Sequence, residues 1–215
     1  MPSLERYRRA DGPRLGEAFD LDTGSDVPDV VAERGPLRIR RMRDDDADHE
    51  RMVRWRNSPH VREWWDPDDP PLTVERSREE YGPLTRPESP TVAAIMELDA
   101  RPIGYIQFHP WAPYEDELED LGIEVALPEG SWGLDVFIGE ADCVGRGLGT
   151  QMVDLLCRHL FDDEDARAVA LWAAQDNHRA LRAYEKAGFH RDGEVLDTDT
   201  RDGERVRSWV LVRAR

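Results

Sequence analysis

Val144-Gly145-Arg146-Gly147-Leu148-Gly149-Thr150 stands between a strand-like run, Trp132 to Gly139, and a helix-like run, Leu148 to Phe161. Glycines in such a place let the backbone approach a ligand closely, because no Cβ stands in the way. The helix behind them starts with unpaired N–H groups and the positive end of its dipole. Together these make a cradle for phosphate or pyrophosphate, so the second half of the chain is expected to be built around a phosphorylated cofactor. A Walker-type loop needs a lysine and then Ser or Thr after its last glycine. Here Thr150 follows Gly149 directly. A dinucleotide fingerprint needs its glycines in the first βαβ unit, with an acidic residue about 20 residues further on. This loop lies late in the chain, and the next strand ends in Leu171-Trp172 without a carboxylate.

The pattern reads outward from that loop. Leu148, Met152, Leu155, Leu156 and Leu160 lay one apolar stripe along the following helix, which marks them as core. Upstream, Leu37 to Met42 alternates as a strand, and Asp44 to Asp46 offer caps for a helix carrying Met52, Val53 and Trp55. Pro59 interrupts, Pro67, Pro70 and Pro71 mark a loop, and Thr73 begins a second helix reaching about Tyr81. Thr91 to Leu98 and Ile103 to His109 read as strands joined by a turn at 99–102. Ala168 to Ala174, His190 to Leu196 and Val206 to Val212 complete the set. The order βααβββαβαββ predicts an α/β (α+β) fold, a mixed twisted sheet of about six to seven strands with helices on both faces.

After the glycine-loop helix come the strand Ala168–Ala174, Asn177-His-Arg-Ala180 and Tyr184-Glu-Lys-Ala-Gly-Phe189. In these motifs the chain resembles the GNAT superfamily of N-acetyltransferases, over roughly Leu37 to the C-terminus. Glu63-Trp-Trp65, Glu80-Tyr81, Pro102-Ile-Gly-Tyr105 with Gln107, Gly133-Leu-Asp135 and Gly147-Leu-Gly-Thr150 further resemble the aminoglycoside 6'-N-acetyltransferases. The resemblance implies acetyl-CoA as cosubstrate and no metal. Its pyrophosphate would lie on the backbone of Val144, Gly145, Arg146, Gly147, Leu148, Gly149 and Thr150, and its pantetheine arm along a strand splay at Phe137 and Ile138. Asn177 would support the pantetheine or cap its helix; the two look alike in sequence.

The resemblance also assigns catalytic roles. Tyr184 would place a phenol near the cofactor sulfur. A phenol pKa of about 10 exceeds a thiol's of about 8.5, so hydrogen bonding to the developing thiolate describes it better than full proton transfer. Asp135 would act as base or hold the substrate ammonium. A free carboxylate of pKa about 3.9 is a poor base near neutrality, and burial would raise it. Glu63, Trp64, Trp65, Tyr81, Gln107, Trp111 and Tyr114 would form an acceptor wall of aromatic faces and polar groups suited to a polycationic sugar. One of the tryptophan pair is expected in the core. Where the 6'-type enzymes carry an acceptor-binding aspartate, this chain has Trp172, and the segment between Tyr105 and Asp135 is longer. These departures leave open a different aminosugar, such as a kasugamycin-like one acetylated at 2'. A siderophore-type hydroxylysine N-acyltransferase and a non-catalytic CoA-binding sensor are the alternatives; Asp135 in its Gly-Leu-Asp context argues against the first, and Asp135 together with Tyr184 against the second.

Composition sets the limits. The 215 residues suit one domain. No apolar run is long enough to span a bilayer, and Met1-Pro-Ser-Leu-Glu lacks a secretory signal's apolar stretch. The two cysteines, Cys143 and Cys157, fit a reducing cytoplasm, and neither they nor His159 and His178 have metal-ligand spacing. The net charge of -17 repels nucleic acid and anionic membranes and attracts cations, with an acidic run at Tyr114-Glu-Asp-Glu-Leu-Glu-Asp120 where an acceptor loop could sit. Residues 1–34 mix charge with Gly and Pro without a period, which reads as an irregular or disordered extension, or a cap over a neighbouring subunit. Residues 35–215 form the expected acetyltransferase domain, monomer or homodimer.

Overall fold

The computed structural model describes residues 28–114 and 127–215. The acidic run 115–120 and the extension through residue 27 lie outside them. The strands are β1 (Val30–Arg34), β2 (Leu37–Arg41), β3 (Val92–Leu98), β4 (Arg101–Pro110), β5 (Ser131–Ile138), β6 (Ala168–Ala174), β7 (His190–Arg201) and β8 (Glu204–Ala214). They form one eight-stranded sheet in the order β1-β2-β3-β4-β5-β6-β8-β7. The helices are α1 (Asp46–Arg56), α2 (Pro59–Arg62), α3 (Val74–Tyr81), α4 (Leu148–Asp162) and α5 (His178–Lys186).

Two elements differ from expectation. Residues 30–34 are no irregular lead-in; they form β1, antiparallel to β2. Gly35, at φ +59°, turns the chain back between them. Val30-Val31-Ala32 is too short to show a period, and pairing with β2 supplies what the sequence pattern lacks. Pro59, expected only as an interruption, begins the one-turn α2; proline is tolerated at the first helical position because its missing N–H would be unpaired there anyway. The expected caps do form. Asp45 accepts from Asp48 N at 2.9 Å, and Thr73 from Arg76 N at 3.2 Å.

Strand alternation sends side chains to opposite faces and so makes two cores. On one face, Leu37, Ile39, Ala94, Met96, Leu134 and Leu171 meet the apolar stripe of α4 and the inner side of α5. On the other, Ala93, Ile95, Tyr105 and Phe137 meet Met52, Trp55, Val61, Trp65 and Tyr81 from α1–α3 and the segments around them. Farther along that second face Trp111, Trp172, Val210 and Val212 pack together.

The feature that positions the site is a failure of pairing. β5 and β6 run parallel and pair only at Ser131↔Ala168 and Trp132↔Val169. Beyond Trp132 the two strands part, while β5 stays paired with β4 as far as Ile138. Gly133 sits at the fork because nothing larger fits: a Cβ there would lie 2.6 Å from His109 Nε2 and 3.0 Å from Trp111 Cε2.

Candidate active site

A cleft of about 510 Å³ opens where β5 and β6 part. Its lining draws on both faces of the sheet, Leu134 and Val136 on one and Asp135 and Phe137 on the other. Asp135 borders it, as does Tyr184 on α5.

At one end of the cleft the backbone does the work. Gly145 and Gly147 hold φ of +77° and +76°, the left-handed region that glycine enters without penalty. Gly147 is the N-cap of α4 and supplies no side-chain cap, so the first N–H groups of the helix remain for a ligand. Gly145, Gly147, Leu148, Gly149 and Thr150 line the cleft with Val144. Val144 contributes surface only, because its N–H already donates to Ala141 O at 3.2 Å. Arg146 is exposed and outside the lining; it reaches Asp142 O at 3.5 Å. Phe137 and Ile138 border the cleft on the unpaired edge of β5. His60 bonds Ile138 O at 3.1 Å. Asn177 lines the cleft and caps α5, accepting from Ala180 N at 3.1 Å.

The same end carries cations absent from the sequence-based set. Arg179, Arg182 and Lys186 all border the cleft. Their spacing along α5 puts them on one helix face, so the signal was present in the sequence. Uncapped helix amides, left-handed glycines and this cationic face fit a coenzyme bearing a pyrophosphate.

The other end is acidic and built from side chains. Asp135 is 5 % exposed. Gln107 Nε2 donates to its Oδ2 at 2.7 Å, and Tyr105 Oη donates to Gln107 Oε1 at 2.8 Å. Its Oδ1 is buried and has no hydrogen-bond partner among the described residues. Burial pushes this carboxyl up to about 6, with Asp197 and Asp66 adding in the same direction and the Gln107 bond opposing. Glu63, Trp64, Trp65, Trp172 and Asp197 border this cleft too. Trp64 is half-buried beneath the Arg201 guanidinium, 4.8 Å from the ring centroid. Trp65 is the core member of the pair, edge-on to Phe137 at 5.0 Å. Asp197, on β7, gave no sequence signal; only the return of β7 beside β8 brings it here. Tyr184 Oη has no hydrogen-bond partner among the described residues, and burial with the nearby Asp135 charge pushes its phenol up.

Four residues expected in the acceptor wall stand elsewhere. Tyr81 is 1 % exposed, hydrogen-bonded to the buried Arg56 and edge-on to Tyr105. Arg56 also pairs with Asp66 at 2.8 Å and Glu80 at 3.1 Å; a buried guanidinium needs such partners, and Tyr81 is one of them. Gln107 is spent on Asp135. Trp111 donates to Ala170 O at 3.1 Å and stacks 4.8 Å behind Trp172. Tyr114 Oη bonds Thr91 Oγ1 at 2.6 Å. Trp111 thus backs the cleft wall behind Trp172, and neither it nor Tyr114 borders the cavity. Among the described residues no cluster of His, Cys, Asp and Glu could hold a metal ion.

The match to known proteins follows this geometry. A model of the acetyltransferase (GNAT) domain matches residues 44–196. Aminoglycoside N(6')-acetyltransferase type 1 of Klebsiella pneumoniae is 32% identical over 152 residues, covering 69% of this chain and 72% of the relative. The structure of AAC(6')-Ib with paromomycin and acetyl-CoA superposes with a TM-score of 0.69 at 27% identity, covering 84% of this chain and 94% of that one. That of AAC(6')-Ib with coenzyme A and kanamycin gives 0.68 at 28% identity, covering 83% and 95%. A sheet that splits between two parallel strands, a glycine cradle at the split and a sequence match across most of the chain all agree: this protein belongs to the GNAT family of acetyltransferases.

Proposed function

We propose that the protein transfers the acetyl group of acetyl-CoA to an amino group of an aminoglycoside or related cationic aminosugar, by direct attack in a ternary complex. The observation that carries this reading is the polarity of one cleft. One end offers backbone donors and three cations to a phosphorylated coenzyme, and the other offers the buried Asp135 carboxylate.

Each residue has a step. Leu148, Gly149 and Thr150 hold the pyrophosphate at the start of α4, and the open edge of β5 guides the pantetheine arm. Bound there, acetyl-CoA supplies an activated acyl group. Asp135 Oδ1 takes the first proton from the substrate ammonium, which frees the nitrogen lone pair. A carboxyl poised near 6 is far better matched to this task than an exposed one. The nitrogen then bonds the carbonyl carbon as the C–S bond breaks. Tyr184 Oη donates a hydrogen bond to the sulfur as charge gathers there. Its raised pKa keeps it protonated at any working pH, so it remains a donor. The second nitrogen proton ends on the sulfur through Tyr184 or water, giving an amide and free CoA thiol.

Acidic groups around an aromatic wall support a cationic sugar as acceptor. Trp172 in place of a carboxylate supports an acceptor that presents a ring face rather than a second ammonium at that point. The protein acts as monomer or homodimer. Both cysteines are free and buried, which supports a reducing, cytoplasmic setting. The test is thiol release from acetyl-CoA across aminoglycosides, kasugamycin, polyamines and hydroxylysine. Release with aminosugars alone is expected. Release with hydroxylysine alone, or none despite calorimetric CoA binding, overturns the proposal.

A further inference from the structure

We infer that Gln107 is a positioning residue: its amide, pinned by the Tyr105 hydroxyl, ties down one oxygen of Asp135 and leaves the other as the one the acceptor nitrogen meets. The inference rests on the acetyl-transfer reading above and adds to it a device that sets the orientation and charge of the base.

The argument begins with register. Gln107 on β4 lies directly opposite Asp135 on β5, so both side chains leave the same face of the sheet. A glutamine amide turned by half a rotation would present its oxygen to a carboxylate and repel it. An ionised Asp135 therefore selects the amide nitrogen, and Tyr105, two residues earlier on the same strand and face, satisfies the amide oxygen that this orientation turns away. Its hydroxyl donates to Gln107 Oε1 at 2.8 Å while Gln107 Nε2 donates to Asp135 Oδ2 at 2.7 Å, so both ends of the amide are satisfied in this one orientation. Tyr105 is itself immovable, fully buried with its ring edge-on to Tyr81 and stacked on Phe137. Oδ2 is thereby occupied, and Oδ1, without a partner among the described residues, is left for the acceptor.

The device also sets the charge. Asp135 is faced by Gln107 and Tyr105 from β4, Asp66 from the segment after α2, Asp197 from β7 and Tyr184 from α5, with Trp172 of β6 on the same cleft. His109 of β4 lies nearby against Gly133 and is held neutral by burial, at about 4. Every charged neighbour among these is acidic and favours the protonated carboxyl. Among the described residues the Gln107 N–H is the donor that favours the carboxylate.

The test is the pH profile of kcat/KM for thiol release in Gln107→Met and Tyr105→Phe. Activity needs ionised Asp135, so it falls as pH drops through that group's pKa. Loss of the donor moves the acid limb up by about one pH unit in Gln107→Met, with a deficit that shrinks at high pH. Tyr105→Phe moves the limb the same way by less, and the double variant moves it no further than Gln107→Met. An acid limb unmoved in Gln107→Met, with melting temperature and CoA affinity intact, overturns the inference; so does a higher amine KM at every pH, which would make Gln107 a substrate contact. Should Gln107→Met fail to fold, an unmoved limb in Tyr105→Phe overturns it equally. Absence of thiol release from the wild type with any aminosugar would sink the acetyl-transfer reading, and a full rate in Asp135→Asn would remove Asp135 as base; an impaired Asp135→Asn beside an unmoved limb sinks this inference alone.

Discussion

The two ends of the cleft are built on different principles. The coenzyme end is largely short-range: residues 145–150 and the helix they start supply its backbone amides and two left-handed glycines, with Arg179, Arg182 and Lys186 of α5 alongside. The acceptor end is long-range: Glu63, Asp135, Trp172 and Asp197 arrive from four separate parts of the chain and touch the cavity only because the sheet gathers them. A backbone site tolerates changed side chains so long as glycine stays where φ is positive. A side-chain site changes with each residue that reaches it, Trp172 among them. The contrast teaches that the coenzyme is held by geometry common to many sequences, while the acceptor is chosen by residues particular to this one.

Substitutions at each end should separate the two. The largest effect belongs to Asp135→Asn. It should lower kcat/KM for the amine by about 10²–10⁴-fold while acetyl-CoA KM barely changes. The wild-type acid limb should fall near pH 6, because a carboxyl raised to about 6 must lose its proton before it can act. Steady-state kinetics from pH 5 to 9 checks both, and an equal rise in acetyl-CoA KM would break the division. Next is Tyr184→Phe, expected to lower kcat by about 10–100-fold through loss of one hydrogen bond to a charged sulfur. Single-turnover acetylation reads it directly.

On the coenzyme side the effects are smaller and fall on binding. Gly147→Ala forces an L-residue to φ +76°, at a cost of about 1 kcal/mol. A Cβ there meets nothing within 4 Å, so conformation and not crowding is the cause. Acetyl-CoA KM should rise about 5–10-fold with amine KM unchanged; thermal melting and calorimetry with CoA measure the two parts. The smallest effect is Arg182→Ala. This exposed cation should contribute only about two- to fourfold to CoA affinity, a difference that fades as salt is raised. A salt-independent loss would instead mean a buried, directional contact.

Much of the coenzyme end was legible in order along the chain. The glycines, the apolar stripe of α4 and Asn177 ahead of α5 are local signals, and local signals survive without the fold. β1 escaped because three apolar residues carry no period of their own. The acceptor wall was read partly amiss for a different reason. Alternation tells which face a strand residue takes, and Gln107 and Asp135, paired across β4 and β5, do both stand on the face toward the second core. It does not tell how deep each lies. Tyr81 is drawn into the Arg56 cluster by a buried charge that needs partners, and Trp111 is hidden because Trp172 stacks in front of it.

By itself the sequence determined the order of elements from β2 onward apart from α2, the glycine cradle and the two groups, Asp135 and Tyr184, that border the cleft. Only the tertiary structure decided which side chains meet in that cleft, that Asp197 joins them, and that Gln107 serves the carboxylate. The physical reason is range. Capping, φ preference and periodicity act over a few residues, whereas burial, desolvation and cross-strand pairing depend on neighbours tens of residues away.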